Sequence, residues 1–279
     1  MMHIVSELLA ELSTFPGREQ DLRRVTRWSL WHPMFYRPNL LSHSKKVAWL
    51  VARVADVVTQ KLGPHFDVKR ALVLALVHDD PEIITGDYQA GNKAKMSPAQ
   101  LAVIDAQERV AIAELSERYP KTIGGFSYQE LQEDVQDLKT SEARVAKFLD
   151  LIDGFGEGIH ELYAGNSRFT DLMVNEFGEI PFFDNLNIRR RTEMMKRYPE
   201  LAALKDSHVF FEISPSLDWS PIVSTRSPYT LQSLRMPVGY PQYDLWKQII
   251  LDSGDAEEIA NLYVQKEVSL DPKVTVAVG

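Results

Sequence analysis

The sequence predicts an all-α fold, and three observations carry that expectation. Apolar residues recur at three- and four-residue spacings through the first two-thirds of the chain. Residues 68–78 are apolar nearly all round, as a helix buried at the centre of a bundle would be. Strand-like alternation is scarce before residue 205.

The elements follow in order. Ile4, Leu8, Leu9 and Leu12 form the stripe of a first helix, and Glu7 and Glu11 inside that pattern argue against a secretory signal. Val47, Leu50, Val51, Val54 and Val58 form a second stripe, with Ser42 as its expected cap. The buried helix comes next, then a helix over 98–119 with Ser97 as cap and Pro98 at its first position. A further helix is predicted from Ser141 to Tyr163, stopping at Gly165-Asn166. After residue 205 the texture changes. "SHVFFEIS" reads as a short strand, and Pro215, Pro221, Pro228, Pro237 and Pro241 punctuate an irregular segment. A last amphipathic helix over 243–266, interrupted near Ser253-Gly254, uses Leu245, Ile249, Ile250, Ile259 and Leu262. The expected organisation is therefore a helical domain over 1–205 and a C-terminal irregular and helical extension over 206–279. That extension has three open roles: capping a pocket, binding a partner, or extending a homodimer surface.

Composition narrows the function classes. A net charge of -8 argues against a protein that coats nucleic acid, though not against one that holds a small anion with a few local cations. With no cysteine there is neither a disulfide nor a thiolate metal site, which fits a reducing compartment. No apolar run approaches the ~18–20 residues that span a bilayer. No membrane role is expected, and the cytoplasm is the expected location.

The stretch "VHDDPEIITGD" carries the chemistry. It places His78, Asp79, Asp80, Glu82 and Asp87 directly behind the most apolar segment of the chain. Buried unpaired carboxylates cost several kcal/mol each, so they are either in water or gathered around something positive. His78 faces the core side, with Leu74 and Ala75 one turn behind it. His43 opens the Val47–Val54 stripe in the same way. Taken singly, each histidine reads better as a hydrogen-bonded core residue. Together with the acidic cluster, the pair reads as the donor set of a divalent cation. A further carboxylate is available in "AKFLDLIDGFGEGIHELYAGN", where Asp150 and Asp153 compete and helical periodicity slightly prefers Asp153.

His43, then His78-Asp79, then a distant helical aspartate resembles the signature of the HD-domain metal-dependent phosphohydrolases. The likeness is closest to their 5'-deoxynucleotidase-like branch, whose H-D-x-x-E-x-x-x-G-D pattern is matched by His78, Asp79, Glu82, Gly86 and Asp87. The resemblance covers about residues 1–205 and implies an all-α HD-domain helical bundle. It implies one divalent cation (Mn, Co, Zn, Fe or Mg) held by His43, His78, Asp79 and Asp150. The family register, marked by Lys147 and Ala164-Gly165-Asn166, puts the fourth ligand on Asp150 rather than Asp153. It further implies that Glu82 and Asp87 manage the attacking water and the leaving-group proton. Arg27, Trp28 and Lys93 would face the phosphate and sugar of a nucleotide.

The activity implied is hydrolysis of phosphate from deoxynucleoside 5'-monophosphates by attack of metal-bound water. A triphosphohydrolase using the same ligands and a catalytically idle nucleotide-binding HD module are the alternatives. Asp80, Glu157 and His160 are expected in solvent, as is the triplet Arg189-Arg190-Arg191, a charge run of the kind that usually lines an exposed helix face.

Overall fold

The computed structural model describes residues 2–27, 38–88, 93, 96–163, 190, 193–202 and 204, without side chains for 2, 155, 156 and 158–163. Within them the chain is a helical bundle with one very small sheet. Helices α1 (Met2–Leu12), α2 (Arg18–Arg24), α3 (Leu40–Leu62), α4 (Val68–Val77) and α5 (Glu82–Thr85) come first. They are followed by α6 (Pro98–Arg118), the strands β1 (Thr122–Ile123) and β2 (Phe126–Ser127), α7 (Tyr128–Asp137), α8 (Ser141–Tyr163) and α9 (Pro199–Ala202). The expected strand at "SHVFFEIS", the helix over 243–266 and the whole extension 206–279 lie outside the described residues.

Helix α4 is the axis. Every side chain from Ala71 to Val77 is buried, and α3, α7 and α8 pack around it. The stripe Val47, Leu50, Val51, Val54 and Val58 of α3 is fully inside, as the periodicity requires. Helix α1 lays Val5, Leu8 and Leu12 on the same core. The helix boundaries follow side-chain caps. Ser97 and Gln100 form a capping box ahead of Pro98. At α3 the cap is Asn39, whose side chain accepts from the Ser42 backbone N–H, and not Ser42 itself. Leu40 and Leu41 are buried and extend the apolar face, so the helix begins a turn earlier than the Val47 stripe suggests.

Strands β1 and β2 pair antiparallel through the two-residue turn Gly124-Gly125, with φ of +60° and +90°. Both torsions lie where glycine is at ease, as this class of hairpin demands. A Cβ at Gly124 would come within 2.9 Å of Leu8 and 3.0 Å of Val73, so the turn also seats closely between α1 and α4.

The C-terminus of α4 is capped by side chains from elsewhere in the chain. Arg18 donates to the Leu76 carbonyl at 2.6 Å, and Gln132 donates to the Val77 carbonyl at 2.8 Å. These satisfy carbonyls that the helix leaves without an internal partner. Arg18 also grips Asp80 through two hydrogen bonds of 2.8 and 2.6 Å, and the Tyr128 hydroxyl donates to Asp80 at 2.9 Å. Asp80 is therefore fully buried and ion-paired, contrary to its expected place in water. Arg18 and Tyr128 supply inside the fold what solvent would supply outside. The clamp fixes the turn Asp79–Asp80–Pro81 to three elements at once.

Breaking one side of a buried ion pair leaves an uncompensated charge, which costs about 3–5 kcal/mol. Asp80→Ala and Arg18→Met are each expected to lower the urea-unfolding free energy by about that amount. A loss below about 1 kcal/mol would show that the clamp does not hold the turn.

Candidate metal centre

Three helices deliver the polar groups. His43 lies in the first turn of α3, His78 is the C-terminal cap of α4 with Asp79 just after it, and Asp150, Asp153 and Glu157 share one face of α8 at spacings of three and four. His78 Nδ1 points at the Ala75 carbonyl, 2.8 Å away. A carbonyl only accepts, so Nδ1 carries the hydrogen and Nε2 presents its lone pair to the cluster. His43 is set in the same way by Asp153, whose Oδ2 lies 2.5 Å from its Nδ1. Both Nε2 atoms then face each other at 3.2 Å.

Two carboxylates complete the group. Asp150 Oδ1 is 3.1 Å from His43 Nε2 and 3.9 Å from His78 Nε2. Asp79 stands beside both imidazoles, 3.4 Å from His43 Nε2 and 3.2 Å from His78 Nε2. The ligand atoms of His43, His78 and Asp150 all lie within 4.8 Å of one another, and all three residues are buried. The structure thus brings together the four residues expected as ligands. It places Asp150 on the Nε2 side of His43 and Asp153 on the opposite, Nδ1 side. Lys147, one turn before Asp150, holds its Oδ2 at 2.6 Å, leaving Oδ1 toward the imidazoles.

Burial and Arg27 disfavour a proton on His43, yet Asp153 and Asp150 prevail and push it up to about 9. Burial keeps His78 below the usual imidazole range. Burial works against an ionised Asp150, but Lys147 and His43 hold its carboxyl well below the usual range; burial likewise opposes an ionised Asp79, and His78 and His43 lower its carboxyl all the same. A proton on His43 therefore stands where two lone pairs and two carboxylates converge. Two imidazole nitrogens and two carboxylates suit Zn, Mn, Fe or Co, so the donor set fits a divalent ion.

Glu82 and Asp87 flank the cluster. Glu82 Oε2 is buried with no hydrogen-bond partner among the described residues, and burial, Asp79 and Asp87 raise its carboxyl well above the usual range. Burial also raises Asp87, against the pull of Arg27. Arg27 reaches the site because residues 25–27 run antiparallel to 38–40, with Arg27 N bonded to Pro38 O and Leu40 N to Val25 O. Its guanidinium lies 3.5 Å from both Asp79 and Glu157.

Other expectations fare differently. Lys93 pairs with Glu108 at 3.0 Å on α6, and its ammonium stands 5.9 Å from the centre of the Tyr88 ring. Trp28 and the side chain of His160 lie outside the described residues. Glu157 is buried, not solvated: Lys46 Nζ sits 2.6 Å from its Oε1. Arg190, expected outside the site, is half-buried and feels Asp150 and Arg27, burial pushing its pKa down. Arg189 and Arg191 lie outside the described residues. Lys46 and Glu157 were the functional neighbours that sequence reasoning missed. Their signal was helical spacing, Lys46 three residues after His43 and Glu157 four after Asp153.

A family model described as 5'-deoxynucleotidase YfbR-like matches residues 15–188. The chain belongs to the YfbR-like 5'-deoxynucleotidase family. All four clustered residues, with Glu82, Asp87 and Arg27, fall inside the matched stretch. Curated relatives in the family are similar at modest identity. The 5'-deoxynucleotidase of Pectobacterium atrosepticum is 30% identical over 165 residues, which is 57% of this chain and 77% of that protein. The 5'-deoxynucleotidase of Pasteurella multocida is 30% identical over 159 residues, 57% of this chain and 80% of that one. The 5'-deoxynucleotidase of Vibrio vulnificus is 26% identical over 152 residues, 53% and 75% respectively. Among the described residues no helix is long and apolar enough to cross a membrane.

The His43 proton gives a test. Because its pKa is raised, it stabilises the metal-free protein fully below about pH 6.5 and is lost as pH rises through about 9. At pH 7.5 a divalent ion must expel it. Calorimetric titration with Mn²⁺ in two buffers of different ionisation heat is expected to show about one proton released per ion. Zero release would mean that His43 Nε2 is not a ligand.

Proposed function

We propose that the protein is a metal-dependent phosphohydrolase that removes phosphate from deoxynucleoside 5'-monophosphates. The observation that carries this reading is the convergence of two imidazole Nε2 atoms 3.2 Å apart with the Asp150 and Asp79 carboxylates, flanked by two further carboxyls of raised pKa. The family's named relatives are 5'-deoxynucleotidases, which supplies the substrate class.

His43, His78, Asp79 and Asp150 would hold one divalent ion. When bound, it polarises a phosphoryl oxygen and acidifies water at the site. Arg27, already at the cluster, is the phosphate partner: its planar guanidinium can take two phosphoryl oxygens at once. Glu157 and Asp79 keep it aimed until substrate arrives. Hydrolysis needs one proton taken from water and one delivered to the leaving 5'-oxygen. Burial raises both carboxyls, Glu82 the further, so Glu82 is the better proton donor and Asp87 the better acceptor, and between them they can do both. Glu82 Oε2, buried without a hydrogen-bond partner among the described residues, is the atom with room for that exchange. A cytoplasmic setting suits a cysteine-free enzyme with a nucleotide substrate.

With Mn²⁺, the protein is expected to convert dAMP to deoxyadenosine and inorganic phosphate, and to release no triphosphate from dATP. Glu82→Gln is expected to lower kcat by about 10²–10⁴-fold while Mn²⁺ affinity stays within a few-fold. Triphosphate as the product, or full turnover by E82Q, would sink this reading.

A further inference from the structure

On the far side of His43 from the expected ion lies a second polar group. Lys46 on α3 and Asp153 and Glu157 on α8 are all buried. Ligand atoms of His43, Asp153 and Glu157 lie within 4.8 Å of one another, close enough for a second cation. A cation is already there. The Lys46 ammonium sits 2.6 Å from Glu157 Oε1 and 3.5 Å from Asp153 Oδ2.

A lysine is seldom fully buried, and an ion pair in a core can usually be replaced by apolar residues without loss. The placement of this one has another use. Asp153 Oδ1 makes no hydrogen bond among the described residues. The orientation of Asp153 then depends on the contacts of Oδ2, which are His43 Nδ1 and the Lys46 ammonium. That Nδ1 contact is what turns the Nε2 lone pair toward His78 and Asp150. Lys46 in turn is anchored by Glu157, one helical turn beyond Asp153.

We infer that Lys46 is a positioning residue for the metal centre: its buried ammonium, anchored on Glu157, holds the Asp153 carboxylate against His43 Nδ1 and so aims His43 Nε2 at the ion. It also fills the space that a second divalent ion would need between Asp153 and Glu157. Lys46 touches neither the expected ion nor the substrate. The inference rests on the metal-centre reading above, but not on which phosphate ester is cleaved.

The test is a double-mutant cycle on metal affinity, read by chelator competition with Mn²⁺ on the full chain. Outer groups that orient a ligating histidine commonly change affinity about 10–100-fold when removed. Lys46→Met and Asp153→Asn are each expected to weaken Mn²⁺ binding by at least about tenfold. Because both act through the same Nδ1 contact, the double variant is expected within about threefold of the weaker single variant. Far-UV circular dichroism and melting of the metal-free variants separate a folding effect from an aiming effect. Lys46→Gln, which keeps a hydrogen-bond donor in the same space, carries the same expectation should K46M not fold. A K46M or K46Q protein with native dichroism and Mn²⁺ affinity within about twofold of wild type would overturn the inference, as would losses that multiply in the double variant. If wild type binds Mn²⁺ tightly yet releases no phosphate from any nucleotide, the functional proposal fails while the cycle still decides the role of Lys46.

Discussion

Two imidazole nitrogens held 3.2 Å apart in a buried site are the constraint from which the rest follows. Neutral lone pairs at that distance repel, and so do the carboxylates of Asp79 and Asp150 beside them. Only a shared positive charge makes the arrangement favourable. A proton on His43, whose pKa Asp153 and Asp150 push up to about 9 against burial, can serve. A divalent ion would serve better, because it could satisfy all four proposed donors at once.

The packing of the fold imposes this geometry. Helix α4 ends inside the protein, where its last carbonyls would otherwise lack partners. Arg18 and Gln132 supply them, and the Arg18–Asp80–Tyr128 clamp then fixes the turn that carries Asp79. From the other sides, α3 and α8 pack directly on α4 and bring His43 and Asp150 to the same point. Three of the four proposed ligands are set by a neighbour: His78 by Ala75, His43 by Asp153 and Asp150 by Lys147. Such partners limit the reorganisation that binding demands.

Much of this was legible in the sequence, and the exceptions share a cause. Helical periodicity placed α1, α3, α4, α6 and α8 and put both histidines at the ends of apolar stripes. Local spacing cannot show contacts between distant segments, however. Asp80 was expected in water because Arg18, its partner, is 62 residues away. Glu157 was misplaced for the same reason, its lysine being 111 residues off. Asp150 and Asp153 both proved to face His43, from opposite sides of one ring. Periodicity gave only a slight preference for Asp153, since both belong to the inward face of α8. Helices α2 and α7 are short and rich in charge, so their apolar pattern was too brief to read.

The most direct measurement is an anomalous difference map from crystals grown with Mn²⁺. One strong peak per chain is expected, about 2.0–2.3 Å from His43 Nε2, His78 Nε2 and an oxygen each of Asp79 and Asp150. A peak between Asp153 and Glu157 instead, or none within reach of both imidazoles, would contradict it.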